Sequence, residues 1–187
     1  GSPPPPAVTQ SRNGRVLVLT LNAPATHNRL TFAMCRELVG ALQDADRDHS
    51  VSAVLLKGAG AAFCTGTDPE ELLREGAVET ASIHEELFTL GSRLTTPVVC
   101  QVHGAAHGAG VGLLCQAHVV LAAQGTTFGL TEIRMGNWPF MTFRSLSAAG
   151  VRSHLTKRWR ATAFPLTSLI SLRRISLSAA TARPRRT

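Results

Sequence analysis

Residues 97–118 constrain the fold of this chain more than any other stretch. They read Pro-Val-Val-Cys-Gln-Val-His-Gly-Ala-Ala-His-Gly-Ala-Gly-Val-Gly-Leu-Leu-Cys-Gln-Ala-His, which predicts a buried strand (Val98–Val102), a small-residue turn (His103–Gly110) and a helix that begins inside the turn. The first N–H groups of a helix lack internal partners and carry partial positive charge, and small residues let a ligand approach them. The turn therefore predicts a site for an anion or a developing oxyanion. The alternative is a turn whose small residues serve packing alone.

A second small-residue turn, Cys64–Asp68, precedes another predicted helix. It follows a strand, as does the turn His107–Gly112, and connections at the C-terminal ends of parallel strands meet at one edge of a sheet. Two backbone N–H groups from such turns can converge on one oxygen. This arrangement would polarise a thioester carbonyl and hold its enolate.

The rest of the pattern alternates strands with helices and predicts an α/β fold with a parallel or mixed sheet and no internal repeat. The further predicted strands are Arg15–Leu21, Ser52–Lys57, Val119–Ala122 and Thr127–Gly129. The further predicted helices are Thr31–Asp46 with Thr31 as N-cap, a short helix capped by Asp68 with Pro69 at its first position, and Ala81–Leu94.

Composition differs sharply along the chain. Residues 1–132 contain eight Lys and Arg and all 12 acidic residues, whereas residues 133–187 contain 11 Lys and Arg and no acid. The basic end could bind nucleic acid or anionic lipid, or it could be a solvated or poorly folded segment. At the other end, Gly1–Pro6 resembles a cloning remnant joined to a proline-rich stretch, and residues 1–11 are predicted to be a disordered lead-in.

The cysteines and the hydropathy bear on the compartment. Cys35, Cys64, Cys100 and Cys115 are widely spaced and form no CxxC pair, which favours free thiols in a reducing cytoplasm over disulfides or a metal site. No apolar run approaches the length of a membrane span. We therefore expect a cytoplasmic protein, with the mitochondrial or peroxisomal matrix as the alternative.

Several segments, taken in order, resemble the enoyl-CoA hydratase/isomerase (crotonase) superfamily over residues 12–150. They are Leu19–Pro24 with Asn28–Leu30, Ala53–Gly58, Ala62–Asp68, Thr96–Gly104, Gly108–Gly110 and Thr127–Glu132. The resemblance implies a spiral of ββα units, acyl-CoA as the bound ester and an assembly of trimers or hexamers. It implies no cofactor beyond the coenzyme A of the substrate. The family's C-terminal helices have no counterpart in residues 151–187, which we expect to be a divergent, truncated or frame-shifted segment.

The resemblance also assigns a site. The N–H groups of Thr67 and Ala109 would form the oxyanion hole, although family members usually have glycine where Ala109 stands. Hydratases of the family place a water with two glutamates. Gly112 stands at the first of those positions and Glu132 at the second.

A single carboxylate can still remove a proton next to the enolate and return it two carbons away. The resemblance therefore implies 3-enoyl to 2-enoyl-CoA isomerisation with Glu132 as the acid/base. The alternatives are an acyl-CoA-binding or assembly module with weak or no activity and, least favoured, nucleic-acid binding through the basic end. The remaining predicted substrate-binding residues are Asn28, Arg29, Leu30, Cys64, Gly66, Asp68, His107, Gly108, Gly110, Trp138 and Phe140.

Overall fold

A computed structural model describes residues 5–75 and 77–131, with the backbone alone for residues 75 and 77–81. The strands are β1 (Val8–Asn13), β2 (Val16–Leu21), β3 (Ala53–Gly58), β4 (Val98–Val102), β5 (Ala105–His107), β6 (Val119–Ala122) and β7 (Thr127–Gly129). The α-helices are α1 (Phe32–Arg47), α2 (Pro69–Glu75), α3 (Ala77–Leu90) and α4 (Ala109–Leu114). Short 3-10 turns cover Pro24–Thr26 and Gly91–Arg93. The α/β prediction is confirmed over these residues.

The main sheet has the order β1-β2-β3-β4-β6. Strand β1 is antiparallel to β2, and every other neighbouring pair in this sheet is parallel. Strands β5 and β7 form a separate parallel pair, in which Ala106 lies opposite Phe128. Because β3 and β4 are parallel neighbours, the turns that follow them leave the sheet at the same edge, as the sequence predicts.

The core lies between the sheet and α1. In β2 every second residue is buried, which is the period of a strand with one covered face. In α1 the buried residues recur at helical spacing. Thr31 caps α1 as predicted, with its side-chain oxygen accepting a hydrogen bond from the Met34 N–H at 3.2 Å.

The structure corrects two local predictions. The disordered lead-in is wrong for residues 8–11, because they form most of strand β1. This edge strand buries only Val8 and exposes four of its six residues, so it lacks apolar alternation. The predicted turn His103–Gly110 is also wrong in part, because Ala105–His107 is strand β5.

The described residues contain no helix that is long and apolar enough to cross a membrane. The predicted incomplete C-terminal helical region and the segment 151–187 lie outside the described residues.

Candidate functional site

The turn after β3 presents the N–H of Thr67. Leu30 holds this turn from one side, because its N–H donates to the Gly66 carbonyl at 2.8 Å and its carbonyl accepts from the Asp68 N–H at 2.9 Å. Backbone groups alternate in direction along extended chain, so the Thr67 N–H points away from Leu30. Among the described residues it donates to no acceptor. The turn thus leaves one backbone donor free at the edge of the sheet.

Asp68 begins helix α2 as predicted. Its Oδ1 accepts hydrogen bonds from the N–H groups of Glu70 at 2.9 Å and Glu71 at 3.3 Å. Both bonds satisfy donors in the first turn of the helix. The carboxylate therefore acts as a helix cap, and contact between Asp68 and the substrate stays a prediction.

The turn after β5 presents the N–H of Ala109. Gly108 precedes α4 with φ 52° and ψ −119°, a conformation that is open to glycine alone. The Gly108 carbonyl accepts from the Val111 N–H at 2.9 Å, which closes the first helical turn. Ala109 is buried, and its N–H donates to nothing within the described residues. Its methyl group leaves this donor in place.

The two turns are in direct contact. The Cys64 carbonyl accepts from the His107 N–H at 2.9 Å, and the Cys64 N–H donates to the Ala105 carbonyl at 3.1 Å. Gly110 lies so close to Cys64 that a Cβ at position 110 would overlap the Cys64 carbonyl oxygen. The turns that carry Thr67 and Ala109 are therefore locked together, as the two-donor arrangement requires.

The side chain of Cys64 takes no part in this surface. It is fully buried, and its burial raises the pKa of the thiol to about 12. A protonated thiol inside the core is a packing group, so Cys64 contributes through its backbone. All four cysteines of the chain are free.

Asn28 also has a structural role. Its Oδ1 accepts from the Ala23 N–H at 2.9 Å, and its Nδ2 donates to the carbonyls of Ala59 and Ala62, each at 2.8 Å. The residue is fully buried and adopts a left-handed backbone with φ 55°. It ties the loop before α1 to the loop before Cys64, and contact between Asn28 and the substrate stays a prediction.

The other predicted site residues differ in their exposure and in the contacts they make. Arg29 is exposed, and its side chain makes no hydrogen bond or ion pair within the described part of the chain. Leu30 is fully buried in the core. His107 is half-buried, with Nε2 3.1 Å from the Thr127 hydroxyl. Gly66 has a φ of 116°, and its backbone faces the His107 carbonyl. Glu132, Trp138 and Phe140 lie outside the described residues.

His84 and Phe88 lie on α3, and we call this pair the α3 wall. Phe88 of the α3 wall packs against Gly112 of α4. A Cβ built on Gly112 would lie 2.9 Å from Phe88 Cε1 and 3.1 Å from its Cδ1. The Phe88 ring is buried and packs against His84, with ring centroids 5.5 Å apart. The volume into which a side chain at position 112 would project is thus already filled by an aromatic ring.

Gly112→Ala is therefore expected to destabilise the protein. Overpacking costs about 1–3 kcal/mol, against which the better helix propensity of alanine offsets about 1 kcal/mol. Urea unfolding of Gly112→Ala, Phe88→Leu and the double variant measures this coupling. We expect the alanine to be better tolerated in the Phe88→Leu background, and strictly additive losses would contradict the contact.

The sequence interpretation missed His84. This residue is 5% exposed, it packs edge-on against Phe32 at 6.3 Å, and burial lowers the pKa of its imidazole from 6.5 to about 4. Its Nε2 is buried without a hydrogen-bond partner among the described residues. A histidine on the buried face of a predicted amphipathic helix was the only available signal.

Stability is expected to fall in acid because of His84. The unfolded chain takes up a proton near pH 6.5 and the folded chain only near pH 4, so the unfolded state binds more protons between these values. The free energy of unfolding should drop by up to about 3 kcal/mol as the pH falls through this window. Urea titrations at several pH values check the slope. His84→Phe should reduce it, and an identical slope in that variant would contradict the assignment.

Comparisons with known proteins agree with this architecture. The family model described as enoyl-CoA hydratase/isomerase matches residues 11–156, and the chain therefore belongs to that family. The chain superimposes on a crystal structure of an enoyl-CoA hydratase from Mycobacterium smegmatis with a TM-score of 0.83 at 28% identity, covering 94% of this chain and 71% of that one. The predicted crotonase-like fold is confirmed.

Its curated relatives include enzymes of two kinds. The chain is 35% identical over 130 residues to the 2,3-dehydroadipyl-CoA hydratase of Escherichia coli K12, covering 69% of this chain and 51% of that protein. It is 30% identical over 131 residues to the 1,2-epoxyphenylacetyl-CoA isomerase of the same organism, covering 66% and 50%. The chain thus spans about half the length of these relatives.

Proposed function

We propose that this protein binds acyl-CoA esters and isomerises 3-enoyl-CoA to 2-enoyl-CoA. The observation that carries the proposal is the contact between two turns that each leave a backbone N–H without an acceptor in the described chain, at Thr67 and Ala109. A thioester oxygen that accepts both hydrogen bonds would become a better electron sink. The α-proton would then become more acidic, and the resulting enolate would be stabilised.

Glu132 is the proposed acid/base. It would take a proton from C2 of the 3-enoyl ester, which shifts the electron pair toward the thioester oxygen. It would then return the proton to C4, and the double bond would move into conjugation with the thioester. One carboxylate suffices because the same proton leaves and re-enters the substrate. The reaction needs no cofactor beyond the coenzyme A that the substrate carries.

The packing of Gly112 favours isomerisation over hydration. Addition of water in this family uses a second carboxylate at this position, where the chain has no side chain and Phe88 fills the adjacent space. Within the described residues, this position is occupied by an apolar ring and not by a charged group that could orient a water. A site of this kind is better suited to proton transfer within the substrate.

The second candidate is an acyl-CoA-binding or assembly protein without turnover. One observation favours it: Ala109 places a methyl group beside the proposed donor. Exposed Leu72 and Leu73 on α2 would suit contact with another copy in a trimer or hexamer, which we propose as the assembly.

Titration with a panel of acyl-CoA esters, followed by product analysis, tests the proposal. Incubation with 3-enoyl-CoA should yield 2-enoyl-CoA with little 3-hydroxyacyl-CoA. Binding without conversion would favour the second candidate. Accumulation of 3-hydroxyacyl-CoA as the main product would overturn the assignment as an isomerase.

A further inference from the structure

The α3 wall joins the two turns that carry the proposed oxyanion donors. On one side, Phe88 contacts Gly112 of α4, the helix that begins at Ala109. On the other side, His84 packs against Phe32, whose N–H donates to Glu71 Oε2 at 2.6 Å. Glu71 lies on α2, which follows Thr67 directly. An acyl chain that leaves a thioester held between Thr67 and Ala109 would therefore pass close to this wall.

His84 is anomalous in a wall that is otherwise apolar. Its Nε2 has no hydrogen-bond partner among the described residues, although the residue is only 5% exposed and lies between two phenyl rings. Burying a polar atom without a partner costs free energy that phenylalanine or leucine at position 84 would avoid. A partner from outside the described residues, such as a bound ligand, would account for a polar group at this position.

We propose that His84 is a specificity-determining residue of the acyl site, whose Nε2 hydrogen-bonds to a hydroxyl group carried on the acyl chain. The proposal rests on the function proposed above and extends it by naming the substrate class, acyl-CoA esters with a hydroxylated chain. The established family membership does not specify this class.

A hydroxyl fits the observed surroundings better than a charged group does. The two rings that enclose His84 give a carboxylate or an ammonium no compensating charge. A hydroxyl is neutral, and it can both donate and accept, so it pairs with either tautomer of a neutral imidazole. A plain alkyl chain would leave Nε2 without a partner, which a site of this kind penalises.

Binding of esters that cannot isomerise tests the inference separately from turnover. The probes are saturated acyl-CoA esters of one chain length, one unsubstituted and the others carrying a single hydroxyl at successive carbons. Calorimetry with the full 187-residue chain gives each dissociation constant. We expect one hydroxylated ester to bind roughly tenfold more tightly than the unsubstituted ester.

Two variants at position 84 provide the control. His84→Phe keeps a ring between Phe32 and Phe88 but removes the polar atom, and it should abolish the preference while the unsubstituted ester still binds. His84→Gln keeps a donor and an acceptor and should retain part of the preference.

The possible failures are distinguishable. Equal affinity for all esters in the unmodified protein, as expected if a buried water satisfies His84, would overturn the inference and leave the proposed function standing. A preference that survives unchanged in His84→Phe would also overturn it. If no ester binds at all, the proposed function and this inference fail together.

Discussion

Glu132→Gln is expected to slow the isomerisation of 3-enoyl-CoA by about 10²- to 10⁴-fold. Glutamine has nearly the same shape as glutamate, but its amide cannot accept the proton from C2 and return it to C4. The affinity for the ester should change little, because the proposed binding of the thioester uses the backbone N–H groups of Thr67 and Ala109. Steady-state kinetics should therefore show a loss in kcat with a nearly constant KM.

A matched control uses a carboxylate that the proposed mechanism does not employ. Glu86 is exposed on α3, where its Oε1 accepts a hydrogen bond from Gln43 at 3.3 Å. Glu86→Gln should leave the isomerisation rate unchanged. If Glu132→Gln also retains the full rate, Glu132 is not the proton carrier, and the proposed mechanism is wrong.

Gly110→Ala is expected to damage both stability and acyl-CoA chemistry. The new methyl group would overlap the carbonyl oxygen of Cys64, a backbone atom that is held by the hydrogen bond from the His107 N–H. Neither the new methyl group nor the Cys64 carbonyl can rotate away as a flexible side chain would. Helix α4 must therefore shift relative to the Thr67 turn. We expect a loss near the upper end of the roughly 1–3 kcal/mol that overpacking costs.

The displacement should also separate the two proposed donors. A misplacement of about 1 Å at a catalytic site can cost about 10²-fold in rate. Isomerase activity of the fraction that remains folded should therefore fall further than its stability would suggest. Circular dichroism during urea unfolding, with activity measured under native conditions, separates the two effects.

Gly40→Ala is the control for this substitution. Gly40 lies within α1, and a Cβ there would meet no atom within 4 Å. Alanine should stabilise the helix by up to about 1 kcal/mol and leave activity unchanged. Equal behaviour of Gly40→Ala and Gly110→Ala would contradict the close approach of the two turns.

Local sequence pattern predicted much of the described fold. Strand β2 and helix α1 carry the apolar periods of a strand and a helix, and both were placed within one residue of their observed ends. The Thr31 and Asp68 caps followed from short-range chemistry. Strand β5 was missed because three residues with no apolar alternation form a strand only through pairing with β7.

The roles of individual site residues were harder to predict. Asn28 was expected to contact the substrate, yet its side chain hydrogen-bonds to backbone groups. Two of these groups, the carbonyls of Ala59 and Ala62, lie over 30 residues away along the chain. His84 was missed because its only signal was its place on the buried face of a predicted helix, whereas its contact with Phe32 of α1 forms only in the folded chain. Both roles depend in part on contacts that form only when segments distant in sequence pack.

The sequence by itself determined that a small-residue turn follows a strand at two places in the chain, because periodicity and glycine placement are properties of short segments. It also determined the absence of a side chain at position 112. Only the tertiary structure decided that Gly110 packs directly against the Cys64 carbonyl and that Phe88 fills the space beside Gly112. It alone decided that His84 Nε2 is buried without a hydrogen-bond partner among the described residues. These features depend on close packing between segments distant in sequence, and close packing is a property of the folded chain.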